Sequence, residues 1–161
     1  MEDLDLLYKE LILDHHRDPR NFGSLPKPDR VEEGFNPLCG DRVRVCLQLD
    51  TEQKRITACR FQGEGCSICM ASSSMMTEEV QGRTVDEARK TVEDFRALMQ
   101  GENPVSFSGT DVESLQGVRR FPVRIKCALL GWTTLKHALE GSGHSGQVTR
   151  ESVSAGDEVR I

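Results

Sequence analysis

The stretch "RVRVCLQLD", residues 42–50, alternates apolar and polar side chains without interruption. Successive side chains of a β-strand point to opposite faces of a sheet, so this pattern predicts a half-buried strand. The polar segment "TEQK" then turns the chain, and "RITACRFQ", residues 55–62, predicts a second strand. Two such runs joined by a short turn indicate an antiparallel hairpin.

Before this hairpin, apolar side chains recur at helical spacing. Residues 3–17 carry Leu4, Leu7 and Leu11 on one predicted face, which indicates an N-terminal helix that ends near Pro19. Residues 20–41 contain several Pro and Gly residues and are expected to be a loop.

Three further helices are predicted after the hairpin. The first, "SICMASSSMMTEEVQ", is ended by Gly82. Thr84 and Glu87 form a capping-box pattern at the start of the second. A long last helix is expected from Pro122 to about Leu139, because proline suits the first turn of a helix.

The order of helix, strands and helices predicts an α+β fold: a small antiparallel sheet of about three strands, with helices packed on it. Residues 102–121 are polar and contain glycine, so they are expected to be a long loop. We expect one domain over residues 1–140 and a disordered tail over 141–161, where Ser and Gly are frequent and aromatic residues are absent.

Composition limits the possible functions. The chain has 161 residues and a formal net charge of -5, so bulk electrostatics give no reason to expect nucleic-acid binding. No apolar run approaches the roughly 20 residues of a membrane span. The acidic first residues do not resemble a signal peptide, and we therefore expect a cytoplasmic protein without a membrane partner.

In a reducing compartment the six cysteines indicate metal binding, thiol chemistry or packing rather than disulfides. Cys46 and Cys59 fall inside predicted strands, where a cysteine most often serves as a small apolar residue. Of the remaining four, Cys39, Cys66 and Cys127 lie near the ends of predicted elements, and Cys69 would lie three residues into a predicted helix.

The segment "NPLCGD", residues 36–41, places Asp41 two residues after Cys39. Gly40 between them permits a tight backbone that lets both side chains point at one centre. Together with Cys66 and Cys127 they offer three thiolates and one carboxylate, a tetrahedral set for zinc or iron.

Other interpretations stay open at this point. Each cysteine could be a packing residue, and "CGD" could be an Asx-type turn. The pair Cys66 and Cys69 forms the only CxxC of the chain, which favours a zinc knuckle, although a zinc ribbon needs a second CxxC. His15 and His16 would point about 100° apart on a helix and are expected to interact with its dipole rather than to share a metal.

Three motifs taken in order resemble the U-type iron–sulfur cluster assembly family, which comprises IscU, SufU and the N-terminal part of NifU. They are "NPLCGD", "GEGCSICMASSSMMTE" and "RRFPVRIKCALLGW", and the resemblance spans about residues 4–140. It implies functional roles for Cys39, Asp41, Cys66 and Cys127. Cys69 stands where the family more often has a small or hydroxyl residue, so the resemblance gives it no ligand role.

Two departures distinguish this chain from the scaffold type of the family. The scaffolds carry histidine before the last cysteine, where this chain has Lys126, and a protonated lysine does not ligate metal. Their chaperone-docking segment ends in lysine where this chain has Arg124. With the longer stretch between Cys66 and Cys127, these features resemble the SufU branch.

The resemblance implies a zinc-binding sulfur acceptor that takes persulfide sulfur from a cysteine desulfurase and works with downstream cluster-assembly proteins. Such a protein is sulfurtransferase-like rather than a stand-alone enzyme. Cys39 is the expected acceptor, because it lies on a loop, while Arg124 and Lys126 could offset a site charge of about -2. The alternatives are a scaffold for a transient [2Fe–2S] cluster or iron, and a zinc-stabilised interaction module.

Overall fold

The computed structural model describes residues 2–140 and 148–150, and the side chains of residues 8–140. Along these residues the elements are, in order, α1 Glu2–Arg17, β1 Arg30–Asn36, β2 Asp41–Leu49, β3 Ile56–Glu64, α2 Ser67–Val80, α3 Val85–Met99, two 3₁₀ helices at Val105–Phe107 and Asp111–Arg120, α4 Pro122–Leu139, and β4 Val148–Arg150.

The sheet has the strand order β3-β2-β1-β4. The first three strands are antiparallel, and the short β4 pairs in parallel with β1. This confirms the predicted α+β class, the small antiparallel sheet and the hairpin of β2 and β3.

The helices cover one face of this sheet. Helix α4 packs on β1 and β2, α2 packs on β3, α1 lies against α2, and α3 lies against α4. Val43, Val45 and Leu47 of β2 are fully buried, as expected for the apolar face of a half-covered strand. Within the described ranges, none of the helices is both long and apolar enough to cross a membrane.

An aromatic cluster joins α3, α4 and the first 3₁₀ helix. Phe95 and Trp132 stack with ring centroids 4.3 Å apart, and Phe107 meets both rings edge-on. The Trp132 indole N–H donates to the Ser72 hydroxyl of α2 at 3.0 Å. A buried indole therefore keeps its hydrogen bond while it anchors α4 against α2.

The prediction of an uninterrupted loop over residues 20–41 is wrong, because it missed β1. Gly34 faces α4, and a Cβ atom there would collide with the Thr134 hydroxyl. Glu32 and Asn36 share that face of the strand and are also buried. The inward positions are thus Glu, Gly and Asn rather than apolar residues, so no hydrophobic alternation signals the strand.

The prediction of a plain loop over residues 102–121 is also wrong, because most of it is 3₁₀ helix. Val112, Leu115 and Val118 are buried at intervals of three residues. This interval matches the three residues per turn of a 3₁₀ helix, so one apolar stripe faces the core.

The helix boundaries expected after the hairpin are confirmed. Thr84 and Glu87 form the reciprocal capping box of α3, and Pro122 begins α4. The predicted tail, residues 141–161, lies outside the described residues except for Val148–Arg150, which form β4.

Candidate metal centre

Three separate parts of the chain bring two thiols and a carboxylate together at one end of the sheet. Cys39 lies on the connection between β1 and β2, Asp41 begins β2, and Cys127 lies in α4. The sulfur atoms of Cys39 and Cys127 are 3.5 Å apart. One ligand atom from each of Cys39, Asp41 and Cys127 lies within 4.8 Å of the other two.

Backbone hydrogen bonds hold the Cys39 loop in shape. The Asn36 carbonyl accepts from the N–H groups of Cys39 and Gly40, at 3.3 and 2.7 Å. The Asn36 side-chain oxygen accepts from the Leu38 N–H at 3.2 Å. Gly40 has φ of +75°, in the left-handed region that favours glycine. Glycine therefore suits the tight backbone between Cys39 and Asp41.

Asp41 is the most enclosed polar group of the site, with 0% of its surface exposed. Its Oδ1 atom accepts the N–H of Cys66 at 3.0 Å. Its Oδ2 atom is buried and has no hydrogen-bond partner in the described part of the chain. A Cβ atom at position 65 would lie 2.5 Å from Oδ1, so Gly65 is what lets the loop approach this carboxylate.

Cys66 adjoins the cluster as the N-cap of α2 and is half-buried. It is not one of the three residues whose ligand atoms lie within 4.8 Å, but its thiol pairs with that of Cys127. The hydrogen bond from Cys127 lowers the pKa of Cys66 to about 6. The same pairing, with burial and the Asp41 carboxylate, raises the pKa of Cys127 well above its usual range.

A cation lies beside the thiols. The hydrogen bond to Cys127, followed by the charge of Cys66, raises the pKa of Arg124. Lys126 is half-buried and directly precedes Cys127 in α4. Arg124 lies in the first turn of α4, where a cation opposes the helix dipole. Its position is better explained by the neighbouring thiols of Cys127 and Cys66.

The donor set suits a thiophilic divalent metal. A buried carboxylate oxygen without a partner is costly unless a cation or donor faces it. Thiolates combined with one carboxylate are ligands that zinc and iron accept, whereas calcium and magnesium prefer oxygen alone. Cys39, Asp41, Cys66 and Cys127 could hold such an ion, with Cys66 completing a set that the other three begin.

Exposed apolar side chains flank the centre, a feature that the sequence interpretation missed. Leu38 is 63% exposed next to Cys39, while Phe121 and Val123, before Cys127, are 48% and 64% exposed. Large apolar residues left in water around a reactive site are typical of a surface that another protein covers. The sequence offered one sign of this exposure: each of these residues is next to a proline.

The other cysteines are enclosed in the core. Cys46, Cys59 and Cys69 are buried and free. Burial raises the pKa of Cys59 to about 12, which keeps it a thiol at neutral pH. The structural role predicted for Cys46 and Cys59 agrees with this environment.

A second group of possible ligands contains His15, Glu78 and Asp111. His15 is fully buried, and its two ring nitrogens lie 2.7 Å from the Ser74 hydroxyl and 2.8 Å from the Asp111 carboxylate. Both nitrogens are therefore already hydrogen-bonded. The prediction that His15 serves the helix dipole missed this bridge between α1, α2 and the second 3₁₀ helix; its neighbour His16 is exposed.

Comparison with known proteins relates the chain to one family. Residues 7–142 match the NifU-like N terminal domain. The zinc-dependent sulfurtransferase SufU of Bacillus subtilis (strain 168) is 44% identical over 135 residues, which cover 83% of this chain and 90% of that protein. The iron–sulfur cluster assembly scaffold protein IscU of Streptococcus pyogenes serotype M1 is 36% identical over 160 residues, 99% of each chain.

Solved structures show the same fold. FiSufU, a SUF-system protein from the thermophilic Fervidobacterium islandicum AW-1, superposes with a TM-score of 0.76 and 32% identity, covering 83% of this chain and 97% of its own. The N-terminal part of a NifU-like protein from Brucella abortus gives 0.71 and 27%, covering 84% and 93%. With the match over residues 7–142, these relationships establish that the chain belongs to the NifU-like N terminal domain family.

Proposed function

We propose that the protein is a zinc-binding sulfur acceptor in iron–sulfur cluster assembly, which takes persulfide sulfur from a cysteine desulfurase. The observation that carries this proposal is the enclosed Asp41 carboxylate. One of its oxygens lies within 4.8 Å of the Cys39 and Cys127 sulfurs, and its Oδ2 atom is buried without a hydrogen-bond partner among the described residues. The similarity to a protein named zinc-dependent sulfurtransferase supports it.

In this proposal Asp41, Cys66, Cys127 and Cys39 hold the zinc ion. Zinc supplies one kind of chemistry here: it keeps its cysteine ligands deprotonated at neutral pH. Asp41 contributes one carboxylate oxygen as a ligand, while its Oδ1 atom accepts the Cys66 N–H. Arg124 partly offsets the negative charge that three thiolates and a carboxylate leave on a divalent ion.

Cys39 is the proposed acceptor. It is half-buried on a short connection between strands, whereas Cys127 is buried within α4. The Cys39 thiolate attacks the outer sulfur of the desulfurase persulfide. A sulfur–sulfur bond forms on Cys39, the original persulfide bond breaks, and the desulfurase cysteine leaves as a thiolate.

The surface around Cys39 suits this encounter. Apolar contacts beside it come from Leu38, Phe121 and Val123. Arg124 offers a positive charge close to the thiols. Apolar groups at the centre of an interface supply affinity, whereas charges guide the approach. The desulfurase would cover this surface during transfer, and downstream cluster-assembly proteins would use it afterwards.

A scaffold function is the second candidate, since the same residues could hold a nascent [2Fe–2S] cluster. The similarity over 99% of the chain to a protein named as an IscU scaffold favours it. Lys126 counts against it, because the imidazole that scaffolds carry at this position can ligate metal and an ammonium group cannot.

Metal analysis and labelled-sulfur transfer test the proposal together. We expect one zinc and no iron per chain, and transfer of labelled sulfur from a desulfurase to the Cys39 peptide. Cys39→Ser should lose this transfer, while Cys46→Ala, which removes a buried thiol from the sheet, should retain it. Undiminished loading of Cys39→Ser, or a brown iron-containing protein, would overturn the proposal.

A further inference from the structure

We propose that Cys66 and Cys69 form a reversible dithiol–disulfide couple, a redox-active site at the start of α2. Cys69 is the one cysteine near the centre that the proposed zinc set does not use. The family more often has a small or hydroxyl residue there, so this property would distinguish the present chain from many of its relatives.

The position of the pair on the helix is the first argument. Cys66 is the N-cap of α2, and Cys69 is the third helical residue after it. In a capping box these two positions face each other: the N-cap side chain accepts the third residue's N–H, and the third side chain reaches back. Thr84 and Glu87 show this reciprocal arrangement in α3.

The hydrogen bond within the pair is the second argument. The Cys66 sulfur accepts the Cys69 N–H at 3.5 Å. This bond places the Cys69 backbone against the Cys66 sulfur. Because the N-cap residue Cys66 has extended, non-helical dihedrals, rotation of its backbone and side chain can bring the two Cβ atoms within the roughly 3.5–4.5 Å that a disulfide requires.

Unequal access to solvent gives the two thiols different roles. Cys66 is half-buried and open to a small reagent, whereas Cys69 is fully buried. Reactive CxxC pairs at helix N-termini have the same division between an accessible first cysteine and a shielded second one. Cys66 is therefore the attacking thiol and Cys69 the resolving thiol.

The co-reactant is a low-molecular-weight disulfide. The Cys66 thiolate attacks one of its sulfurs, which forms a mixed disulfide and releases one thiolate. The Cys69 thiolate then attacks the Cys66 sulfur, closes the internal disulfide and releases the second thiolate. Two protein thiols are oxidised, one disulfide is reduced, and the two thiol protons go to solvent or to the leaving thiolates.

One consequence rests on the proposed function. If Cys66 is a zinc ligand, closure of the disulfide removes it from the ligand set, because a disulfide sulfur is not a thiolate. The couple would then release the metal under oxidation and restore the site when a dithiol reduces it.

Peptide mapping tests the couple directly. The full chain is treated with oxidised glutathione, alkylated and digested with trypsin. Cleavage at arginine and lysine places Cys66 and Cys69 together in peptide 61–83, Cys39 in peptide 31–42 and Cys127 in peptide 127–136. We expect peptide 61–83 to be lighter by two hydrogens than its reduced form and to be restored by a dithiol.

Cys69→Ser is the matched variant, because serine has nearly the same shape; Cys69→Ala serves if the serine variant is unstable. In either variant the internal disulfide should be absent, and a glutathione adduct should accumulate on Cys66. A lasting adduct on Cys66 in the unsubstituted protein, or a cross-link between peptides 31–42 and 127–136 with 61–83 left reduced, would overturn the proposal.

Zinc release measured in the same samples separates the two proposals. Release that follows disulfide formation supports both the couple and the ligand role of Cys66. Disulfide formation without release would refute the ligand role of Cys66 and leave the couple intact.

Discussion

The Asp41 carboxylate and the backbone of Cys66 are joined by a hydrogen bond of 3.0 Å, which ties the first residue of β2 to the N-cap of α2. One oxygen of the carboxylate therefore fixes the loop that carries a thiol, while the other, Oδ2, is buried without a hydrogen-bond partner among the described residues. The two oxygens thus differ in their contacts, and a substitution can keep the hydrogen bond to Cys66 while it removes the negative charge.

Asp41→Asn should weaken metal binding while it preserves the loop. The amide oxygen can still accept the Cys66 N–H, but the negative charge of the carboxylate beside Cys39 and Cys127 is lost. We expect zinc affinity to fall at least about tenfold, equivalent to about 1.4 kcal/mol, in competition with a chromogenic chelator.

Asp50→Asn is the control for this substitution, since the Asp50 carboxylate also accepts a backbone N–H, from Lys54 at 2.9 Å, but lies in a turn. Its affinity for zinc should not change. Equal zinc affinity for Asp41→Asn and the unsubstituted protein would refute a ligand role for Asp41.

His15→Ala should destabilise the fold. The variant loses the bonds to Ser74 and Asp111 and leaves a cavity where the ring was fully buried. We expect a loss of about 2–4 kcal/mol in the free energy of unfolding, measured with urea. His16→Ala removes the exposed neighbouring imidazole and should change stability by less than about 0.5 kcal/mol. Similar losses for both variants would contradict the bridging role of His15.

Gly131→Ala should also destabilise the fold, although alanine is usually more favourable than glycine within a helix. A Cβ atom at this position of α4 would collide with the Ser73 hydroxyl of α2. Overpacking of this kind costs about 1–3 kcal/mol, more than the gain of about 1 kcal/mol in helix propensity.

The double variant Gly131→Ala with Ser73→Ala removes the colliding hydroxyl and should recover part of the loss. Thermal unfolding followed by Trp132 fluorescence would measure both, since Trp132 is the one tryptophan of the chain. Additive effects of the two substitutions would show that α2 and α4 are not in the tight contact described here.

His137 should make stability depend on pH. Burial lowers its pKa in the folded protein, so the unfolded chain binds a proton more readily. The stability that the neutral ring contributes is present above the unfolded pKa, near 6.5, and is lost as pH falls through the lower folded value.

His137→Gln should therefore lose less stability than the unsubstituted protein between pH 7.5 and 5.5. Urea unfolding at both pH values would show the difference, which we expect to be below about 1 kcal/mol because the ring is only partly buried. Parallel losses in the two proteins would exclude a contribution from His137.

The sequence predicted the helices and central hairpin because their patterns are local. The alternation of β2, the capping box of Thr84 and Glu87, and Pro122 at the start of α4 are each contained within a few residues. β1 has no such pattern, since its inward face fits α4 through Gly34 rather than through apolar side chains. Its pairing with β2 and its contact with α4, rather than any local pattern, make these residues a strand.

The candidate site shows the same division. Cys39 and Asp41 could be paired from their spacing, and Cys66 and Cys127 were grouped with them because they lie near the ends of predicted elements. The resemblance then implied functional roles for all four. The unpartnered oxygen of Asp41 and the exposure of Leu38 depend on how three distant elements meet. A single sequence does not encode such meeting points in any local pattern.

The proposed ligands lie far apart along the chain: on the loop before β2, at the N-cap of α2 and near the start of α4. An ion bound to all three would close two large loops of the polypeptide and lower the entropy of the unfolded chain, as cross-links do. Metal occupancy would then slow amide hydrogen exchange far from the thiols, in β2 and in α4 alike. Removing the ion would loosen the whole domain, and not the pocket alone.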